Sequence, residues 1–162
     1  MKTLVERLLA NKDDRGLMAS LRCALIAGKR HRAWPALNRL GVNIDREVDV
    51  FVAGMFAAHP EVTDKGNFGS LCKLIELRRD GSGNKDARLT PTERRFQHVL
   101  AASRDEVMER VLRLVLMAKA EGLSVNYGQL QKDLRFWNER IKAAWASAFW
   151  NPGADKASEE DA

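Results

Sequence analysis

Apolar positions recur at intervals of three and four almost throughout the chain, and no segment of strict alternation reaches strand length. That period predicts helices. Residues 14–28 form one candidate, with Leu17, Leu21, Ala24 and Leu25 on one side. A shorter helix is predicted to start near Trp34-Pro35, because proline is tolerated in a first turn. Asp45 is the expected cap of the next, whose Val48, Phe51, Val52, Met55 and Phe56 make a wide apolar stripe that ends at Pro60. Phe68, Leu71, Cys72 and Ile75 predict a further helix.

Residues 80–88 are the clearest break, with Gly81 and Gly83 among polar neighbours and no apolar anchor. Beyond it the start signals sharpen. Thr90-Pro91-Thr92-Glu93 reads as a capping box with proline at the first helical position, and Ser103-Arg104-Asp105-Glu106 as a second. The helix after the second runs toward Gly122, and Asn126 with Gln129 resembles a third box. Leu130, Leu134, Trp137, Ile141, Trp145 and Phe149 then continue one apolar side, with a bend expected at Asn138. The predicted fold class is all-α: two packed helical lobes, or bundles, joined by a linker. The expected divisions are a lobe over 1–80, a linker loop over 81–87, a second lobe over 88–150 and an acidic, disordered tail over 151–162.

Charge changes the picture more than composition does. The net charge is +5 over 162 residues. From Arg15 to Ile44 there is no acidic residue, while Arg15, Arg22, Lys29, Arg30, Arg32 and Arg39 all fall inside. The tail after Trp150 carries four carboxylates against Lys156, so removing it raises the net charge to +8. Such a body attracts polyanions in a salt-dependent way.

Catalysis needs positioned acids, bases, nucleophiles or a metal. His31, His59 and His98 have no ligand partner at i+3 or i+4, and the chain holds no phosphate loop, zinc-protease or nucleophile-elbow motif. Cys23 and Cys72 sit among apolar residues with no CxxC, so buried free thiols in a reducing cytosol are expected rather than zinc ligands. No cofactor, metal or membrane span is expected, and a cytoplasmic, non-enzymatic protein follows. Lys29-Arg30-His31-Arg32 is open between a phosphate-contacting patch and a solvated helix end. Arg94 and Arg95 fall in a first turn, where the helix dipole disfavours cations and Glu93 offsets part of the cost. Arg110 and Arg113 share a face bordered by Glu106 and Glu109. Trp137, Trp145 and Phe149 are expected in the core; Trp34 and Trp150, at element ends, stay open between core and interface.

Three patterns in one order carry a resemblance. They are Arg15-Gly16-x-x-Ala19-x-Leu21-Arg22, then Thr90-Pro91-Thr92-Glu93-Arg94-Arg95-Phe96, then Asp133-Leu134-x-Phe136-Trp137 leading to Trp145 and Phe149-Trp150. Over residues 14–150 the chain resembles the CasB-type small subunit of Cascade, the RNA-guided surveillance complex of type I-E CRISPR systems. Cys23 departs from the pattern, since many members carry a second arginine there. The resemblance implies basic family positions at Arg22, Arg39, Arg46, Lys73, Arg94, Arg95, Arg104, Arg113 and Arg140. It implies a non-catalytic subunit whose basic surface stabilises the CRISPR RNA–target hybrid and the displaced DNA strand through phosphates. Its implied protein partners are the backbone and large subunits of the complex and a second copy of itself. Arg22, Arg39, Lys73, Arg94, Arg95 and Arg113 are expected to share one basic surface. Two other readings stay open: a free-standing helical nucleic-acid-binding protein and a helical adaptor with protein partners only.

Overall fold

A computed structural model describes residues 1–81 and 88–151. Among these residues it contains nine α-helices, two short 3-10 turns and no strand, as the helical period predicts. The chain divides into two compact units, Met1–Val62 and Thr63–Ala162.

In the first unit the helices are α1 (Leu4–Ala10), α2 (Arg15–Arg22), α3 (Trp34–Arg39) and α4 (Glu47–Ala58), with 3-10 turns at Cys23–Leu25 and Arg30–Ala33. Helix α4 is the centre. Its Phe51 to Ala57 are buried without a break, and α1, α2 and the first 3-10 turn pack around it. A helix apolar on every side must be enclosed. Thr3 and Glu6 form a reciprocal capping box on α1, and Asp14 accepts the Leu17 N–H at 3.1 Å to cap α2. Arg7 donates to the carbonyls of Leu40 (2.6 Å) and Gly41 (3.2 Å), satisfying acceptors just past the end of α3.

Two expectations change here. The helix predicted over 14–28 stops at Arg22, and Ile26 is extended and exposed. The tighter 3-10 turn brings Leu25 over Gly54 of α4, where a Cβ would stand 2.8 Å from the Leu25 Cδ2. Asp45 does not cap α4. Its backbone N–H donates to the Asn43 side chain at 2.9 Å, and α4 starts after Arg46 with no side-chain cap. Glu47 and Asp49 in the first turn offset the dipole instead.

The second unit holds α5 (Phe68–Arg79), α6 (Pro91–Leu100), α7 (Val107–Ala120), α8 (Tyr127–Arg135) and α9 (Glu139–Trp150). The division at Val62/Thr63 differs from the expected one at residue 80. Helix α5 belongs with the later helices because its Phe68–Leu71–Cys72–Ile75 stripe is buried and α5 packs on α6, α7 and α9. A glycine-rich break marks a change in local chain chemistry, but the apolar stripe decides which core a helix joins. Of the expected linker and tail, 82–87 and 152–162 lie outside the described residues.

Helices α5 and α9 meet almost backbone to backbone. A Cβ placed on Gly69 would stand 2.0 Å from the Trp145 carbonyl oxygen, so only glycine fits. The approach seats the Trp145 ring 5.0 Å from Phe68 and 4.9 Å from Trp137. Trp145 and Phe149 are fully buried and Trp137 nearly so, as their spacing predicts. The buried Trp145 indole donates to Asp133 Oδ2 at 2.8 Å, and the Trp137 indole to the Ala102 carbonyl at 3.0 Å. The continuous apolar side expected from 130 to 149 is therefore broken into two helices. The interruption turns Trp137 inward, and Asn138 restarts the chain as the cap of α9.

The Thr90 capping box forms as predicted, and Asn126 caps α8 by accepting the Gln129 N–H at 3.1 Å. Ser103 does not cap α7. Its carbonyl accepts from Glu106 and Val107, and α7 starts at Val107 with Glu106 turned to Arg110 instead. Cys72 is buried, and burial pushes its thiol up, which keeps it neutral. Cys23 is only half-buried, short of the expectation.

Gly69→Ala should cost at least about 3 kcal/mol, because backbone rather than a flexible side chain must move. Trp145→Ala should cost about 3–5 kcal/mol through the cavity it leaves. Thermal unfolding of both variants checks these values; a melt unchanged by Gly69→Ala would contradict the close approach.

Candidate nucleic-acid interface

The predicted basic positions do not behave alike. In the first unit, Arg22 leaves α2 and donates to the Ala57 carbonyl at 3.2 Å, which ties it to the last turn of α4. Arg39 faces Asp14 at 3.8 Å with both side chains largely exposed, a pair worth little in water. Arg46 is exposed at the start of α4, and its side chain makes no hydrogen bond or ion pair among the described residues.

In the second unit Lys73 is turned inward. It pairs with Glu76 at 2.8 Å and lies 5.2 Å from the Phe149 ring centroid. Glu76 is 2% exposed, and its other oxygen accepts the Thr90 hydroxyl at 2.8 Å. A buried carboxylate stripped of its cation would be strongly destabilising, so Lys73 serves the α5–α6 contact first. Arg104 reaches the Arg135 carbonyl at 3.4 Å, near the end of α8.

Other cations of the second unit meet at one recess. Arg95, His98, Arg110 and Arg113 surround a recess of about 60 Å³ between α6 and α7, floored by Leu114. Arg110 is fixed there, donating to the His98 carbonyl at 2.6 Å and pairing with Glu106. Arg95 and Arg113 are exposed and carry no ion pair or hydrogen bond among the described residues. Arg94 is also exposed and unpaired, beside but outside the recess. No carboxylate lines the recess. Arg140 stands at a second, wider recess of about 460 Å³ lined also by Asn67, Ser70, Gln129 and Asp133. The structure thus brings Arg95 and Arg113 together around a shared opening, which helical phase alone could not show, since they lie on different helices.

Sequence reasoning missed the inward acids. Neither Glu76 nor Asp133 was expected inside, yet one is clamped by Lys73 and Thr90, the other by Trp145 and Gln129 (2.9 Å). The Lys73–Glu76 spacing of three was the only available signal for the first. Among the described residues no group of His, Cys, Asp or Glu could hold a metal ion. No helix among them is long and apolar enough to cross a membrane.

The family described as CRISPR-associated protein Cse2 matches residues 17–150. The chain belongs to the Cse2 family. Membership makes it a CasB-type small subunit of the CRISPR Cascade complex, and bears out the resemblance carried by the three motifs. Members of this family are structural subunits of that complex. Solved structures agree on the fold. CasB from Thermus thermophilus superposes with a TM-score of 0.71 at 18% identity, covering 91% of this chain and 95% of that one. A structure of TTHB189, a Cse2-family protein also from Thermus thermophilus, gives the same values. CasB from M. ruber has a TM-score of 0.68 at 19% identity, covering 98% of both chains. No curated protein matches the chain.

Glu93, beside Arg94, ties the ends of α6 and α9 together within this Cse2-family chain. It accepts from the Thr90 N–H and from the Trp150 indole, both at 3.0 Å. Partial burial works to raise its carboxyl. Hydrogen bonds from the Thr90 backbone, Trp150 and the Thr90 side chain, with the Lys73 charge, outweigh that and hold it below its ordinary value. A lowered folded-state value stabilises the fold above the unfolded carboxylate range of about 4.3. That contribution disappears as pH falls through the folded value. Thermal melts from pH 6 downward should therefore show an acid-dependent loss that Glu93→Gln reduces; identical pH profiles for both proteins would refute the assignment.

Proposed function

We propose that this chain is the non-catalytic small subunit that holds nucleic acid within Cascade, by phosphate contacts to the CRISPR RNA–target hybrid and the displaced strand. The observation that supports it best is the α6–α7 recess, where Arg95 and Arg113 present unpaired guanidiniums with no lining carboxylate. Guanidinium forks match phosphate oxygens in charge and geometry. Arg94, Arg140 and Arg46 extend the exposed positive charge on each unit. Arg22, Arg39 and Arg104 can contribute charge while keeping their internal contacts, and Lys73 contributes least because Glu76 already neutralises it.

Phosphate contacts position a strand without reading its sequence. In an RNA-guided complex base pairing supplies specificity, so charge and shape are all a small subunit must provide. The backbone and large subunits and a second copy of the chain are its proposed protein neighbours.

Arg94→Ala with Arg95→Ala should leave the melting temperature unchanged, because both side chains are exposed. In a reconstituted complex it should shorten the R-loop lifetime by a similar factor for unrelated targets. It should also flatten the salt slope by about one for each phosphate that is no longer neutralised. Loss confined to some sequences would argue for base readout. Unchanged lifetime and slope would favour an adaptor with protein partners only.

A further inference from the structure

The first unit carries a different kind of surface from the α6–α7 recess. Lys29, Arg30, His31 and Arg32 are consecutive, all exposed, and none of the Lys29, Arg30 and Arg32 side chains makes a hydrogen bond or ion pair among the described residues. They lie in the acid-free stretch from Arg15 to Ile44, so no carboxylate close in sequence neutralises them. Immediately after them stands Trp34, 47% exposed although it is the largest apolar side chain in the region. Its indole stands edge to face with His31 at 6.3 Å. The backbone beneath is held firmly. Ala33, Ala36 and Leu37 are buried, and Pro35 fixes the first turn of α3. An exposed aromatic on a fixed turn, flanked by free cations, has the parts of a stacking platform for single-stranded nucleic acid.

We infer that Trp34 stacks on an unpaired base while Arg30 and Arg32 hold the flanking phosphates. The inference rests on the nucleic-acid reading above and adds a base contact to it. The occupant is the displaced DNA strand. Bases of the guide–target hybrid are paired and stacked on one another, whereas R-loop formation leaves the displaced strand with free faces. Stacking of this kind is tolerant of sequence, because every base has a π-face. It therefore agrees with a subunit that leaves specificity to the guide.

The test uses the reconstituted complex with the full chain. Trp34→Ala should shorten R-loop lifetime roughly tenfold, and Trp34→Phe should retain most of it. Arg30→Ala with Arg32→Ala should lower the salt slope by roughly 0.7 per arginine, the single-strand value. Abasic sites stepped along the displaced strand identify the contact. At one position the abasic site should cost the native complex the same factor as Trp34→Ala and cost the Trp34→Ala complex nothing more. Three results overturn the inference. If no displaced-strand position matters, or Trp34→Ala leaves lifetime unchanged while the Arg94/Arg95 variant shortens it, only the phosphate reading survives. If Trp34→Ala lowers the amount of chain retained in the complex before DNA is added, Trp34 is a protein contact instead.

Discussion

The approach of α5 and α9 at Gly69 is the constraint on which the second unit depends. With the Trp145 carbonyl 2.0 Å from where a Cβ would stand, the two backbones leave no room for any side chain. The same crossing puts the Trp145 ring between Phe68 and Trp137, and aromatic contacts at these separations add to the area they bury. It also drives the Trp145 N–H into the interior, where an unpaired donor would be costly. Asp133 supplies the acceptor, and Gln129 takes its other oxygen. The Asp-Leu-x-Phe-Trp motif is therefore an architectural device in this chain. Asp133 answers Trp145, Trp137 closes against Ala102, and Phe136 is left 65% exposed at the break between α8 and α9.

Much of this fold was legible because helices announce themselves by period and cap. The Thr90 box and the Asn126 cap formed as read, since a side chain three residues before a free N–H needs little tertiary help. Asp45 and Ser103 failed for a related reason. At 43–46 and 103–107 the backbone turns before the helix starts: the Asp45 N–H goes to the Asn43 side chain, and the Ser103 carbonyl accepts from Glu106 and Val107. The place of α5 was not legible at all. Its stripe is equally apolar whichever core receives it. Among the candidate site residues, exposure of Arg94, Arg95 and Arg113 followed from helical phase, whereas the shared recess of Arg95 and Arg113 required the packing of α6 on α7.

Burial of acids has an electrostatic consequence. Glu76 and Asp133 are almost inaccessible, and Asp49 nearly so. Of these, Glu76 takes Lys73 inward with it, but Asp133 is held by neutral donors. A carboxylate clamped by an indole and an amide inside the fold is withdrawn from direct contact with a ligand, while exposed, unpaired arginines can meet one directly.

On the proposed reading, the same physics relates fold to sequence in this family. Structures that share only 18–19% of residues with this chain superpose with TM-scores near 0.7. A subunit that had to read bases would need particular side chains at particular base edges, and each change would cost specificity. A subunit that contacts phosphates needs only cations within reach of a regular backbone, and these can move along a helix face or between neighbouring turns. On the proposed reading Cys23, standing where the resemblance implies a second arginine, is tolerated because free guanidiniums at other positions of this chain supply the charge. The framework of the second unit leaves this chain less freedom: the glycine at the α5–α9 crossing, the paired tryptophans, and the buried carboxylate that answers one of them.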